Sequence, residues 1–302
     1  MRRQFLKQIA VVPALAALSL VPDGIRLVAQ SKPARTGGSK LKVGLNAYSF
    51  NEPLLKGGMK LGELLEFCAG QGLDAVDLTG YYFAGYPEPP SDDAIFAVKR
   101  QAFLLGIDIS GTGVRNDFTY IDPKKRADDV IMVKKWIEVA GKLGAPVIRI
   151  FAGRQSTGGY TWDQVAGWMV ENIRECVDHG KKHGVMIGIQ NHNDFIKTPD
   201  DALKILQLVN SEWCGLILDT GSFRGADPYA EIAEAAPYAI NWQIKESVYI
   251  GDNPSNVDLG KLAKIIRDSG YRGYLPIETL GAGDPKVKVP AFLKEVRAAL
   301  ER

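Results

Sequence analysis

The stretch MIGIQNHNDFIKTPDDALKILQLVNSEWCGLILD, residues 186–219, decides the fold. It opens on a short apolar run, Met186–Asn191, and closes on another, Gly215–Asp219. Between them the amphipathic segment Pro199–Val209 reads as a helix. Two strands joined by a helix make a βαβ unit, and such a unit lays its strands parallel.

The same alternation runs outward in both directions. Strands are predicted at Lys42–Tyr48, Ala75–Thr79, Asp108–Gly111, Val147–Phe151, Met186–Asn191, Gly215–Asp219, Asn241–Lys245 and Tyr274–Thr279. Helices are predicted at Leu61–Gly70, Asp92–Leu105, Lys125–Leu143, Trp162–His183, Pro199–Val209, Tyr229–Ala236, Leu259–Ser269 and Lys288–Leu300. Several of these helices run into a glycine just before the next strand, a common helix stop. The chain has 302 residues. Eight βα units in that length favour an α/β fold of one kind: a (β/α)8 TIM barrel, closed and all-parallel, with outer helices. No G-x-G-x-x-G follows the first strand, which argues against a dinucleotide-binding open sheet and against a nucleotide cofactor.

The first thirty residues stand apart. Arg2-Arg3 followed by Phe5-Leu6-Lys7 precedes an uncharged, mostly apolar run from Gln8 to Pro22. This is the layout of a twin-arginine export signal. The run falls short of the roughly 20 residues that span a bilayer, so no stable membrane insertion is expected once the signal is removed. We read 1–30 as signal, 31–40 as a polar linker and 41–302 as the barrel, with a periplasmic, bacterial location. The net charge of the chain is +2. Residues 1–30 carry Arg2, Arg3, Lys7 and Arg26 against Asp23 alone, so the remainder is close to neutral. With no basic stripe, nucleic acid is not an expected partner. Cys68, Cys176 and Cys214 form no CxxC pair and read as buried thiols.

In such a barrel, function gathers at the C-terminal ends of the strands. Those ends carry Tyr48, Asp77, Tyr81, Arg149, Phe151, Gln190, Asn191, His192, Asp219, Arg224, Gln243, Lys245, Glu246 and Glu278. A polar rim with aromatic residues suits a hydroxylated ligand, with Tyr48, Phe50, Tyr81, Tyr82 and Phe151 available to cover the apolar face of a sugar. Gln243 and Lys245 share one face of their strand, and Glu246 points the other way. His179 and His183 share one face of an outer helix and read as a solvated face. Trp136, Trp162 and Trp168 read as packing residues.

The segments Ile189-Gln190-Asn191-His192, Ile217-Leu218-Asp219-Thr220-Gly221, Asn241-Trp242-Gln243-Ile244-Lys245-Glu246 and Tyr274-Leu275-Pro276-Ile277-Glu278 resemble strands five to eight of the xylose-isomerase-like family. That family takes in sugar isomerases and epimerases, dehydratases and apurinic-site endonucleases. The resemblance implies a divalent metal held by Glu, Asp, His and Glu, positions that fall here on Gln190, Asp219, Gln243 and Glu278. Two of the four depart from the pattern. Two carboxylates and two amide oxygens would suit Mn2+, Mg2+ or Ca2+ rather than Zn2+.

The resemblance also implies enolisation of a keto sugar by paired carboxylates, one on each face. Gln190 cannot take a proton, so Glu278 is the remaining carboxylate base, with Lys245 and His192 as further catalytic candidates. Tyr48, Asp77, Tyr81, Arg149, Phe151, Asn191, Arg224 and Glu246 are the candidate substrate contacts. The expectation is an exported carbohydrate-active enzyme of the sugar isomerase/epimerase type. Its substrate would be a small carbohydrate, and the family's habit implies a homo-oligomer. Two alternatives stand beside it: a lyase performing β-elimination on a 3-oxo-glycoside, and a sugar-binding barrel without catalysis. Apurinic-site cleavage, which needs a His-rich zinc cluster, fits a chain with three His poorly.

Overall fold

The structure is a computed structural model and describes residues 32–154 and 157–301. The expected export signal, 1–30, lies outside the described residues. Eight strands close into a parallel barrel: β1 (Lys40–Asn46), β2 (Ala75–Thr79), β3 (Asp108–Gly113), β4 (Val147–Phe151), β5 (Met186–Gln190), β6 (Cys214–Asp219), β7 (Ala239–Lys245) and, after a hairpin of β8 (Ser247–Ile250) and β9 (Asn253–Asn256), β10 (Arg272–Glu278). Neighbours follow chain order around the ring, and β10 closes it on β1, with Lys40 beside Arg272 and Leu45 beside Ile277. Among the described residues no helix is long and apolar enough to cross a membrane.

The outer layer holds α1 (Asn51–Leu55), α2 (Leu61–Gly70), α3 (Asp92–Leu104), α4 (Pro123–Leu143), α5 (Trp162–His183), α6 (Pro199–Val209), α7 (Pro228–Ala235), α8 (Leu259–Asp268) and α9 (Pro285–Leu300). Helix starts follow local chemistry. Thr161 and Gln164 form a reciprocal capping box at α5, and Thr198 and Asp201 form another at α6. Gly144 and Gly184 end α4 and α5 in the left-handed conformation, at φ 83° and 67°. The helices bury Val133, Trp136 and Ile137 of α4 and Val165, Met169 and Ile173 of α5 in the core that surrounds the strands. Inside the ring, Asn241 Nδ2 of β7 donates across the barrel to the Ser110 carbonyl of β3 at 3.3 Å. All three cysteines are buried and free. Trp136 is fully buried and its indole N–H donates to the Pro87 carbonyl, as a packing residue would.

The differences from the predicted elements have local causes. Helices α4 and α9 begin at Pro123 and Pro285, earlier than predicted, because each proline sits in the first turn behind an aspartate cap, Asp122 or Asp284. The first strand stops at Asn46, since Asn46 Oδ1 accepts the Tyr48 N–H at 2.9 Å and turns Ala47–Phe50 into a 3-10 helix. The β8–β9 hairpin was not predicted: its second strand, Asn-Pro-Ser-Asn, is exposed throughout and reads as loop. The linker is tied down rather than loose. Arg35 donates to the carbonyls of Ser269 and Ala239 and lies 5.2 Å over the Tyr271 ring.

Candidate active site

The C-terminal ends of the strands surround a cavity of about 630 Å3. Tyr48, Tyr81, Arg149, Phe151, Gln190, His192, Gln243, Lys245 and Glu278 all line it. The sequence singled out each of these. Strand periodicity explains the convergence, since Gln243 and Lys245 lie two apart on β7, as do Arg149 and Phe151 on β4.

The floor is a single bonded network. Lys245 Nζ stands 2.7 Å from Glu278 Oε1 and 3.5 Å from Asp219 Oδ2. Gln190 Nε2 donates to Asp219 Oδ2 at 2.7 Å and to Gln243 Oε1 at 2.8 Å. An ionised carboxylate only accepts, so Asp219 forces Gln190 to turn its NH2 inward, and Gln243 must then turn its oxygen to meet it. Asp219 itself is fully buried beneath the cavity, where Oδ1 accepts the Gly221 N–H at 2.9 Å.

Burial pushes the Glu278 carboxyl up, and the Lys245 ammonium beside it pulls against that shift. For Lys245 burial lowers the pKa, but the charges of Asp219 and Glu278 outweigh it and hold the ammonium charged.

Above the floor, Arg149 donates to the Val114 carbonyl at 2.6 Å and to the Tyr81 hydroxyl, and its guanidinium lies 4.0 Å over the Phe151 ring. His192 packs against Phe151 with ring centroids 4.5 Å apart, and its Nδ1 is 3.7 Å from Asp194 Oδ2. Burial brings His192 down to about 4. It is therefore neutral near pH 7 and only weakly basic there.

Other predicted residues sit elsewhere. Asn191 is buried facing away from the cavity: Nδ2 donates to the Asp219 carbonyl and Oδ1 accepts the Asp219 N–H, clamping β5 to β6. Arg224 caps the Gly221 and Phe223 carbonyls and lies 3.8 Å over the Tyr249 ring of the hairpin. Glu246 accepts the Leu280 N–H at 2.9 Å and pairs with Lys288 at 3.1 Å. Asp77 is buried, and burial raises its carboxyl to about 6, against the pull of Arg149. None of these four lines the cavity. Phe50 is wholly buried against Phe67 and Tyr82 bonds to Asn51, so neither covers a ligand there.

The wall after β3 was not singled out in the sequence. Arg115, Asn116 and Asp117 line the cavity together with Tyr120 and Asp129. Arg115 lies 4.2 Å over the Tyr81 ring. The missed signal is the polar run Arg115-Asn116-Asp117 directly after a strand that extends to Gly113.

A polar barrel mouth with a buried carboxylate–ammonium pair on its floor and a neutral histidine on its wall is that of an α/β barrel equipped for proton-transfer chemistry. The chain belongs to the xylose isomerase-like TIM barrel family, whose model matches residues 65–297. No curated protein matches it by sequence. Among solved structures it is similar to D-psicose 3-epimerase of Clostridium cellulolyticum H10, solved with D-tagatose, at 17% identity and TM-score 0.70, over 86% of this chain and 99% of that one. It is similar to 3-keto-D-glucoside 4-epimerase from E. coli at 15% identity and TM-score 0.70, over 86% of this chain and all of that one. A third, the IOLI protein with a bound zinc atom, aligns at 17% identity and TM-score 0.70, over 86% and 98% of the two chains.

Gln190, Asp219, Gln243 and Glu278 meet as the expected ligand set would, but their arrangement does not fit a divalent ion. The Lys245 ammonium stands among them, and Asp219 Oδ2 and Gln243 Oε1 already accept from the Gln190 amide N–H groups. A dication beside that ammonium would meet repulsion of roughly 4 kcal/mol per unit of its charge at 4 Å and an effective dielectric of about 20. A different group could hold a cation. On the outside of the barrel, Glu138 of α4 with His179 and His183 of α5 bring one ligand atom each within 4.8 Å of one another. The group is solvated, with Glu138 and His183 exposed and His179 half-buried, and His179 Nε2 stands 3.1 Å from Glu138 Oε1.

Proposed function

We propose that this chain is an exported carbohydrate enzyme of the sugar isomerase/epimerase type that enolises a keto sugar or keto-glycoside. One observation carries the reading: Glu278, the carboxylate in the cavity floor, stands 2.7 Å from a buried ammonium. The carboxylate removes the proton next to the substrate carbonyl, and the developing oxyanion meets positive charge already in place. Arg149 and the faces of Tyr81 and Phe151 hold and orient the ring. The substrate is a small carbohydrate, as it is for the structural neighbours named as psicose and 3-keto-glucoside epimerases. In the epimerase reading a proton must return to the opposite face, and His192, on another wall of the cavity, can supply it only as the imidazolium, a form that burial makes scarce near pH 7.

The replacement of a carboxylate by Gln190 favours a second reading. One base suffices for β-elimination, in which the enolate formed by Glu278 expels the leaving group of a 3-oxo-glycoside.

Incubating the purified mature protein with a panel of ketoses and 3-oxo-glycosides separates these readings. An epimeric sugar marks the first, and a free aglycone with an unsaturated keto sugar marks the second. Binding without product from any member would instead mark a sugar-binding barrel.

A further inference from the structure

We propose that the Lys245 ammonium is the resident cation of this barrel mouth, seated in place of a divalent ion, and that the site works without one. The ammonium lies between both carboxylates of the floor, 2.7 Å from Glu278 and 3.5 Å from Asp219. Its side chain is only 13% exposed, with the two acids at 4% and 1%.

The surroundings are shaped to the lysine. A Cβ on Gly221 would stand 2.9 Å from Lys245 Cγ and 3.2 Å from Lys245 Cβ. Gly221 is not in the left-handed region, so the position needs glycine for room and not for conformation. The Lys245 backbone is fixed as well, its N–H donating to Thr220 Oγ1 at 2.9 Å. Thr220 in turn is held by the Gln243 carbonyl at 3.1 Å. The end of β6 therefore cradles the lysine stem and aims its head into the floor.

The charges agree with this assignment. A carboxylate lost at Gln190 together with a dication exchanged for a monocation leaves the net charge of the floor unchanged. An ammonium has three N–H donors. Two are directed at Glu278 and Asp219, and the third is free for a ligand.

This part rests on the enolisation proposed above. Glu278 takes the α-proton, and the C–H electron pair becomes the C=C bond of the enolate. The carbonyl π pair moves onto oxygen, and that oxyanion accepts from the third N–H of Lys245. Reprotonation at carbon returns the charge, and no metal or redox partner enters the balance.

The test measures Mn2+ binding by calorimetry and electron paramagnetic resonance, without substrate. It uses the mature protein carrying His179→Ala, which disarms the outer Glu138–His179–His183 group. The expected result is no Mn2+ bound by this protein and an uptake of Mn2+ by the same protein carrying Lys245→Met, which removes the ammonium from beside both carboxylates. Stoichiometric Mn2+ binding in the Lys245 protein, lost in Glu278→Gln, would overturn the inference. The titration of the Lys245 protein decides the matter even where Lys245→Met folds poorly. Because no turnover is read, a failure of the enolisation reading would show separately, as absence of product across the substrate panel.

Discussion

Gln190, His192, Gln243, Lys245 and Glu278 all reach the cavity because strand ends in a closed barrel converge. Arg224 and Glu246 do not, because each finds a nearer partner: the carbonyls of its own turn for Arg224, Lys288 and the Leu280 N–H for Glu246. The bonding of the floor was not legible in the sequence, since a one-residue alphabet shows Lys245 beside Glu246 but not which carboxylate it meets. Asp77 makes a prediction at this scale. Its carboxyl is raised from 3.8 to about 6 by burial. A carboxyl held up in the folded state binds more protons folded than unfolded between these values. The native state is thus favoured below about pH 4 and loses that contribution as pH rises through 6. Asp77→Asn is expected to gain stability relative to the parent as pH rises from 4 to 7, by up to about 3 kcal/mol. Thermal unfolding across that range measures it; a constant difference between the two proteins would refute the shift.

At the level of elements, the eight βα units were legible because hydrophobic period and cap chemistry agree along the chain. The α5 helix runs from Trp162 to His183 as predicted, with Thr161 and Gln164 capping its start. Thr161→Ala should remove one capping hydrogen bond and cost about 1 kcal/mol. Denaturant unfolding would show this as a lower midpoint with an unchanged slope. Elements without an apolar signature escaped: α1 has no buried residue, and β9 is exposed along its length. The β8–β9 hairpin nonetheless matters to the mouth, because Tyr249 holds the Arg224 guanidinium 3.8 Å from its ring, away from the cavity. Tyr249→Ala is expected to release Arg224 and to change KM more than kcat, which steady-state kinetics on the accepted substrate would resolve.

At the level of the whole molecule, the closed ring brings residues more than two hundred positions apart into one site, as with Tyr48 and Glu278. The barrel follows from counting the units, but the substitution of an ammonium for a metal follows only from their closure. In the export reading proposed above, the Arg2-Arg3 pair directs the molecule out of the cytoplasm. Replacing both with lysine should leave the protein in the cytoplasm, and cell fractionation would show it there.

The central claim is proton abstraction by Glu278 next to a carbonyl. The most direct measurement is deuterium uptake from D2O at that carbon of a ketose or 3-oxo-glycoside, followed by NMR. The account predicts uptake with the parent protein, slowed roughly a hundred- to ten-thousand-fold by Glu278→Gln. Uptake at an equal rate in that variant would contradict it.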